Sequence, residues 1–200
     1  MKKLIWFTTI TILFLVFIAP AFLALGIKMI PGENQPGYDP AQRLSIYQTR
    51  NVTQQFTSQD ANLSAIGTSI RNPNLKNKKD IILTLFNENM EIIRTTTING
   101  QNVEDGNFIK FVFEIVPNSE NKTYFISLSS PDAGPEEMIE VFYSHNMPGW
   151  IEQYTYDQEV QPGGLPIVLY FKPVSKFAVI KDIYSNWFSR LLHLNSQKTS

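Results

Sequence analysis

From Leu4 to Ile27 the chain carries 24 consecutive uncharged residues, bounded by Lys2 and Lys3 before them and by Lys28 after them. As a helix rising 1.5 Å per residue, such a run reaches about 36 Å, more than the roughly 30 Å hydrocarbon core of a bilayer. Past Lys28 the period changes to two. Ile109, Phe111, Phe113 and Ile115 alternate with Lys110 and Glu114, and Tyr124, Ile126 and Leu128 alternate with Ser127 and Ser129. Ile139, Val141 and Tyr143 repeat the pattern, as do Ile167, Leu169 and Phe171. Alternation of this kind belongs to strands with one face buried and the other wet.

The pattern predicts eight strands: 52–57, 63–70, 80–86, 91–98, 108–115, 123–129, 138–144 and 165–172. They are separated by turn chemistry such as Asn72-Pro73-Asn74, Asn99-Gly100, Asp105-Gly106 and Pro131 to Pro135. No helical crossover pattern lies between them, so the expected fold is all-β, an antiparallel β-sandwich. From Phe177 to Leu194 the period becomes helical, with Ile180, Ile183, Tyr184, Trp187, Phe188, Leu191 and Leu192 on one stripe. This C-terminal amphipathic helix has three available uses: a membrane interface, the sandwich surface, or a partner helix. The domain reading is a transmembrane anchor over 1–30, a Pro/Gly-rich stalk over 31–48, the sandwich over 49–173, and the helix and tail over 174–200.

A cleaved secretory signal is the rival for the first segment, with Ala24 and Gly26 as a small-x-small pair and Pro20 as a helix breaker ahead of it. Signal apolar regions usually run only about 7 to 15 residues, so the length favours a retained single-pass anchor. Lys2 and Lys3 outweigh Lys28, which keeps the N-terminus cytoplasmic and sends the rest outside the cell membrane.

Composition narrows the chemistry. After Lys28 there remain 14 basic and 18 acidic residues, a net charge of −4, which argues against nucleic acid as a partner. With no cysteine there are no disulfides or thiolate metal sites, and no cofactor is implied. The histidines are His145 and His193, and no nucleophile-elbow glycine pattern accompanies a serine, so the expectation is a non-enzyme. A hydrolase using paired carboxylates is the alternative. Asp60, Asp105, Asp132 and Glu136 offer a weak calcium set. The candidate ligand-binding residues are Tyr143, His145, Trp150, Glu152, Tyr154 and Tyr156, read as lying in a long connection between two strands. Aromatic faces there can stack on a pyranose while amides and carboxylates bond its hydroxyls; the alternative is that the rings plug the end of the sandwich.

Four stretches carry a resemblance: Gln54 to Gln59 followed by Asn62-Leu63-Ser64-Ala65-Ile66; Ile82-Leu83-Thr84-Leu85; Asn121 to Ala133, containing Ser130-Pro131-Asp132-Ala133; and the Gly163-Gly164 turn before the last strand. Over residues 50 to 172 the chain resembles a poorly characterised extracytoplasmic β-sandwich domain of bacterial membrane proteins, jelly-roll and carbohydrate-binding-module-like. Such domains often sit beside membrane glycosyltransferases. The resemblance implies a jelly-roll-like sandwich and, as partner, an envelope glycan or a multi-pass membrane protein. The motif residues themselves read as core and turn positions.

Overall fold

A computed structural model describes the backbone over residues 2–196 and side-chain surroundings over residues 2–190. The chain forms two compact units: one from its two ends, up to Ile30 and from Pro173 onward, and one from Pro31–Lys172.

The second unit is an antiparallel β-sandwich. Its strands are β1 (Ile30–Pro31), β2 (Arg43–Ile46), β3 (Val52–Thr57), β4 (Leu63–Arg71), β5 (Asp80–Phe86), β6 (Ile92–Asn99), β7 (Asn107–Val116), β8 (Thr123–Ser129), β9 (Ile139–Phe142), β10 (Ile151–Tyr156), β11 (Glu159–Gln161) and β12 (Val168–Phe171). One six-stranded sheet runs β11-β10-β3-β8-β5-β6; the other runs β1-β12-β4-β9-β2, with β7 also on β4. β4 pairs with β7 across Leu63–Ile70, with β12 near Ala65 and Ile66, and with β9 at Ile70 and Arg71.

Alternation drives the core. Phe56, Leu83, Leu85, Ile126 and Leu128 from one sheet and Ile66, Ile70, Phe111, Ile139 and Leu169 from the other are all almost fully buried. Each such side chain contributes about 1.5–3 kcal/mol by leaving water. At the β6–β7 seam, Arg94 bridges the sheets: its Nε donates to the Glu114 carbonyl at 2.9 Å and its Nη2 to the Ile115 carbonyl at 3.0 Å. The guanidinium thereby satisfies edge-strand acceptors that no neighbouring strand reaches.

Buried amides hold the loops. Asn72 Nδ2 donates to the carbonyls of Asn77, Gly100 and Val103, and Asn77 Nδ2 donates to the Glu137 carbonyl at 2.7 Å. The turn at Pro131 is anchored by Ser130, whose Oγ donates to the Asp80 carbonyl at 2.9 Å and whose carbonyl accepts from Gln48 N–H.

Two sequence expectations change. Arg43–Ile46, placed in the stalk, is a strand paired residue for residue with β9. Only Leu44 and Ile46 alternate there, too few apolar positions to mark a period, so the pairing was hidden. The stretch from Tyr143 to Tyr156 is likewise not one long connection, because Ile151–Tyr156 is a strand between β3 and β11.

In the first unit, α1 (Lys2–Gly26) is long and apolar enough to cross a membrane. Its ladder loosens into a π-turn at Phe14–Ile18, where Ala19 N–H bonds back to the Phe14 carbonyl. Pro20 follows, and its missing N–H cannot serve the Val16 carbonyl in the ordinary i→i−4 pattern. The second helix, α2 (Lys176–Ser196), extends over the predicted amphipathic segment and packs on α1.

Candidate functional site

The aromatic patch of the sequence is built around β10, and a bulge decides its geometry. Ile151 pairs with Phe56 and Tyr154 with Gln54, so three steps on β10 face two on β3. The extra residue breaks the alternation, which leaves Glu152 and Gln153 both exposed and turns Tyr154 inward. Gln54, fully buried, absorbs the irregularity: its Nε2 donates to the Gln153 carbonyl at 3.1 Å and its Oε1 accepts from Leu165 N–H at 2.8 Å. Gly164 lies against this amide, where an added Cβ would sit 2.7 Å from Gln54 Oε1. Gly163 holds φ +95° with no room for a Cβ beside the Ser144 carbonyl, so the Gly-Gly turn is a packing requirement.

The six candidate residues therefore occupy separate surroundings. Tyr154 is 3% exposed and belongs to the core. Its ring lies 5.8 Å from that of half-buried Tyr143, which meets exposed His145 edge-on at 5.7 Å. Half-buried Trp150 packs on the core and donates its indole N–H to the Asn34 carbonyl at 3.3 Å. Tyr156 donates its hydroxyl to the Ser45 carbonyl at 2.8 Å and lies 5.1 Å under the Arg50 guanidinium, which Asp157 grips at 2.8 Å through Nε. Glu152 faces outward and accepts from Gln55 Nε2 at 2.5 Å. Burial pushes the Tyr154 and Tyr156 phenols above their ordinary range, so both stay neutral at physiological pH. Tyr143, His145 and Tyr154 come together; Glu152 and Tyr156 do not join them.

The acids do not gather either. Asp105 is held by Arg71 and Glu136 by Lys76, and among the described residues no three of His, Cys, Asp and Glu converge as metal ligands. The His193 side chain lies outside the described residues.

A second constellation was not singled out from the sequence. Tyr184 of α2 donates its hydroxyl to the Val16 carbonyl that Pro20 leaves without an α-helical donor. Lys176 Nζ donates to the Ala24 carbonyl at 3.1 Å, to that of Leu25 at 3.4 Å, and to that of Ile27. These carbonyls lie at the C-terminal, partly negative end of α1, where that of Ala24 also accepts from Ile27 N–H at 3.3 Å. From Lys176 to Tyr184 is about 12 Å of helix, as is Ala24 back to Val16, so the two helices run antiparallel in step. Between them Leu15, Ala19 and Leu23 face Ile183, Trp187 and Arg190 across a groove of about 510 Å³. The available signal was Pro20 inside an apolar helix, which announces an orphaned carbonyl four residues earlier.

No protein-family model matches the chain, and no curated protein matches it.

Proposed function

We propose that the protein is a single-pass membrane protein with a cytoplasmic N-terminus and an extracytoplasmic sandwich, acting as a non-catalytic assembly module for a multi-pass membrane protein. The observation that carries this reading is the helix pair. α2 meets an apolar helix of membrane-spanning length through hydrogen bonds that fit its two backbone defects, at Val16 and at the C-terminal carbonyls. A tail fitted this closely to an anchor is suited to hold the module at the bilayer, where a membrane enzyme is the available partner.

Contact with an envelope glycan is the lesser reading. It is supported by the Tyr143–His145 pair and the half-buried Trp150, and weakened because Tyr154 is committed to the core and Tyr156 to Ser45 and Arg50. Crosslinking in intact cells followed by detergent extraction tests the assembly function. Recovery of a multi-pass partner should fall several-fold when Phe177 to Ser200 are deleted and stay unchanged in Trp150→Ala. Unchanged recovery after the deletion would defeat the proposal.

A further inference from the structure

We propose that a cleft at one end of the sandwich binds a free α-amino acid with an apolar side chain, its carboxylate on Lys122 and Tyr124 and its ammonium on Glu88. The inference lies wholly within the sandwich and is independent of the assembly reading above. The cleft opens between the sheets at the β6–β7 seam, beside the β5–β6 turn and the β7–β8 loop. At about 380 Å³ it falls within the range of about 300–1,000 Å³ usual for small-molecule sites. Its apolar wall comes from Ile93 on β6, Val116 at the end of β7, and Pro117 just beyond. Tyr124 on β8 is the polar group built into that wall. Alternation turns it inward, its ring stacks on Phe56 with centroids 5.8 Å apart, and it is only 4% exposed. Burial pushes the phenol up, and no hydrogen bond within the protein offsets this. The oxygen is nevertheless not sealed in, since the enclosed side-chain atoms without a partner, among the described residues, are those of Gln59 and Thr68. A protonated phenol lining a cleft is a donor with its acceptor still to come.

Opposite charges on the rim select the ligand. Lys122 and Glu88 both line the cleft, and among the described residues neither belongs to an ion pair. Each sits on a tied turn. Asn87 Oδ1 accepts from the N–H groups of Asn89 and Glu91, and Asn87 Nδ2 donates to the Glu91 carboxylate at 2.7 Å, which engages that acid and not Glu88. The Lys122 N–H donates to the Ser119 carbonyl at 3.2 Å, and the Lys122 carbonyl accepts from Ser58 N–H at 2.9 Å. Backbone positions set in advance lower the ordering cost of binding. A round space of the cleft's volume is about 9 Å across; the ammonium and carboxylate of an amino acid, about 3 Å apart with a hydrogen bond of about 2.8 Å at each end, span nearly that width. The side chain then lies against Ile93 and Val116. A simple anion or amine would leave one rim charge unmatched, and an uncharged ligand would leave both.

Isothermal titration calorimetry of the full-length protein in detergent, with alanine, valine and leucine each up to about 10 mM, tests this directly. At least one of the three should bind. The matching acid without the amine, and the matching amine without the carboxylate, should each bind about ten-fold more weakly, because each loses one charge-assisted hydrogen bond. Lys122→Gln and Glu88→Gln should each weaken the amino acid by a similar factor. In Lys122→Gln the penalty for lacking the carboxylate should disappear, and in Glu88→Gln the penalty for lacking the amine. Tyr124→Phe removes only the unpartnered oxygen and should weaken binding several-fold while leaving the fold intact. Absence of binding by all three amino acids, equal binding of the single-charge analogues to the wild type, or affinity indifferent to both charge substitutions would each overturn the proposal.

Discussion

Gln54 and Thr68 are both polar and both buried in the sandwich, yet they stand in opposite positions energetically. The Gln54 amide is fully used: it serves two carbonyls and the Leu165 N–H around the β10 bulge. The Thr68 hydroxyl has no hydrogen-bond partner. Removing a satisfied amide strands its buried partners, at about 1–3 kcal/mol each, while removing an unsatisfied hydroxyl without changing shape recovers a desolvation cost. Gln54→Ala should therefore lower stability by about 2–4 kcal/mol, and Thr68→Val should raise it by up to about 1 kcal/mol. Urea denaturation of the full-length protein in detergent, followed by tryptophan fluorescence, measures both. A stabilising Gln54→Ala would mean that the bulge is not held by this amide.

Strands and loops are tied at a larger scale by charge. Arg71 on β4 grips Asp105, before β7, through two bonds of 3.0 and 2.8 Å, and reaches Glu140 on β9 at 3.1 Å; Arg43 on β2 approaches the same Glu140 at 3.6 Å. Hydrogen bonding to Arg71 holds the Asp105 carboxyl below the usual carboxylate range. A depressed carboxylate contributes stability that is fully present above the unfolded value, near pH 3.9, and is lost as pH falls through the folded value. Because Asp105 is partly exposed, that contribution is about 1 kcal/mol or less. Asp105→Asn should destabilise by that amount at pH 6, with the difference shrinking as pH falls below about 4, as read from denaturation midpoints; a difference that stays constant as the pH is lowered would rule the linkage out. Strands with unbroken alternation were legible, and β3, β5 and β8 have the bounds it predicts. The short strands β2 and β11 and the bulged β10 were not. One inserted residue at Glu152–Gln153 moved Tyr154 from an expected ligand platform into the core. The last strand begins at Val168, not Leu165, because the Leu165 N–H is spent on the Gln54 side chain.

For the whole molecule, the retained anchor and the cleaved signal make different demands on the same two side chains. Cleavage after Gly26 would remove the acceptors of Tyr184 at Val16 and of Lys176 at Ala24 and Leu25, leaving α2 with an apolar stripe and, of these acceptors, the Ile27 carbonyl alone. The fit of α2 to both defects of α1 is the arrangement expected of a chain that keeps its first helix, and under the proposed function Lys2 and Lys3 lead to the expectation that its N-terminal end stays inside. The absence of cysteine makes this directly measurable, since any introduced thiol is the single reactive one. In spheroplasts, a membrane-impermeant maleimide should modify Asn118→Cys, on an exposed turn of the sandwich, and spare Lys3→Cys until the membrane is permeabilised. Both variants should retain the full-length mass. A mass shortened by the first 26 residues would establish cleavage, and labelling of Lys3→Cys with protection of Asn118→Cys would invert the orientation.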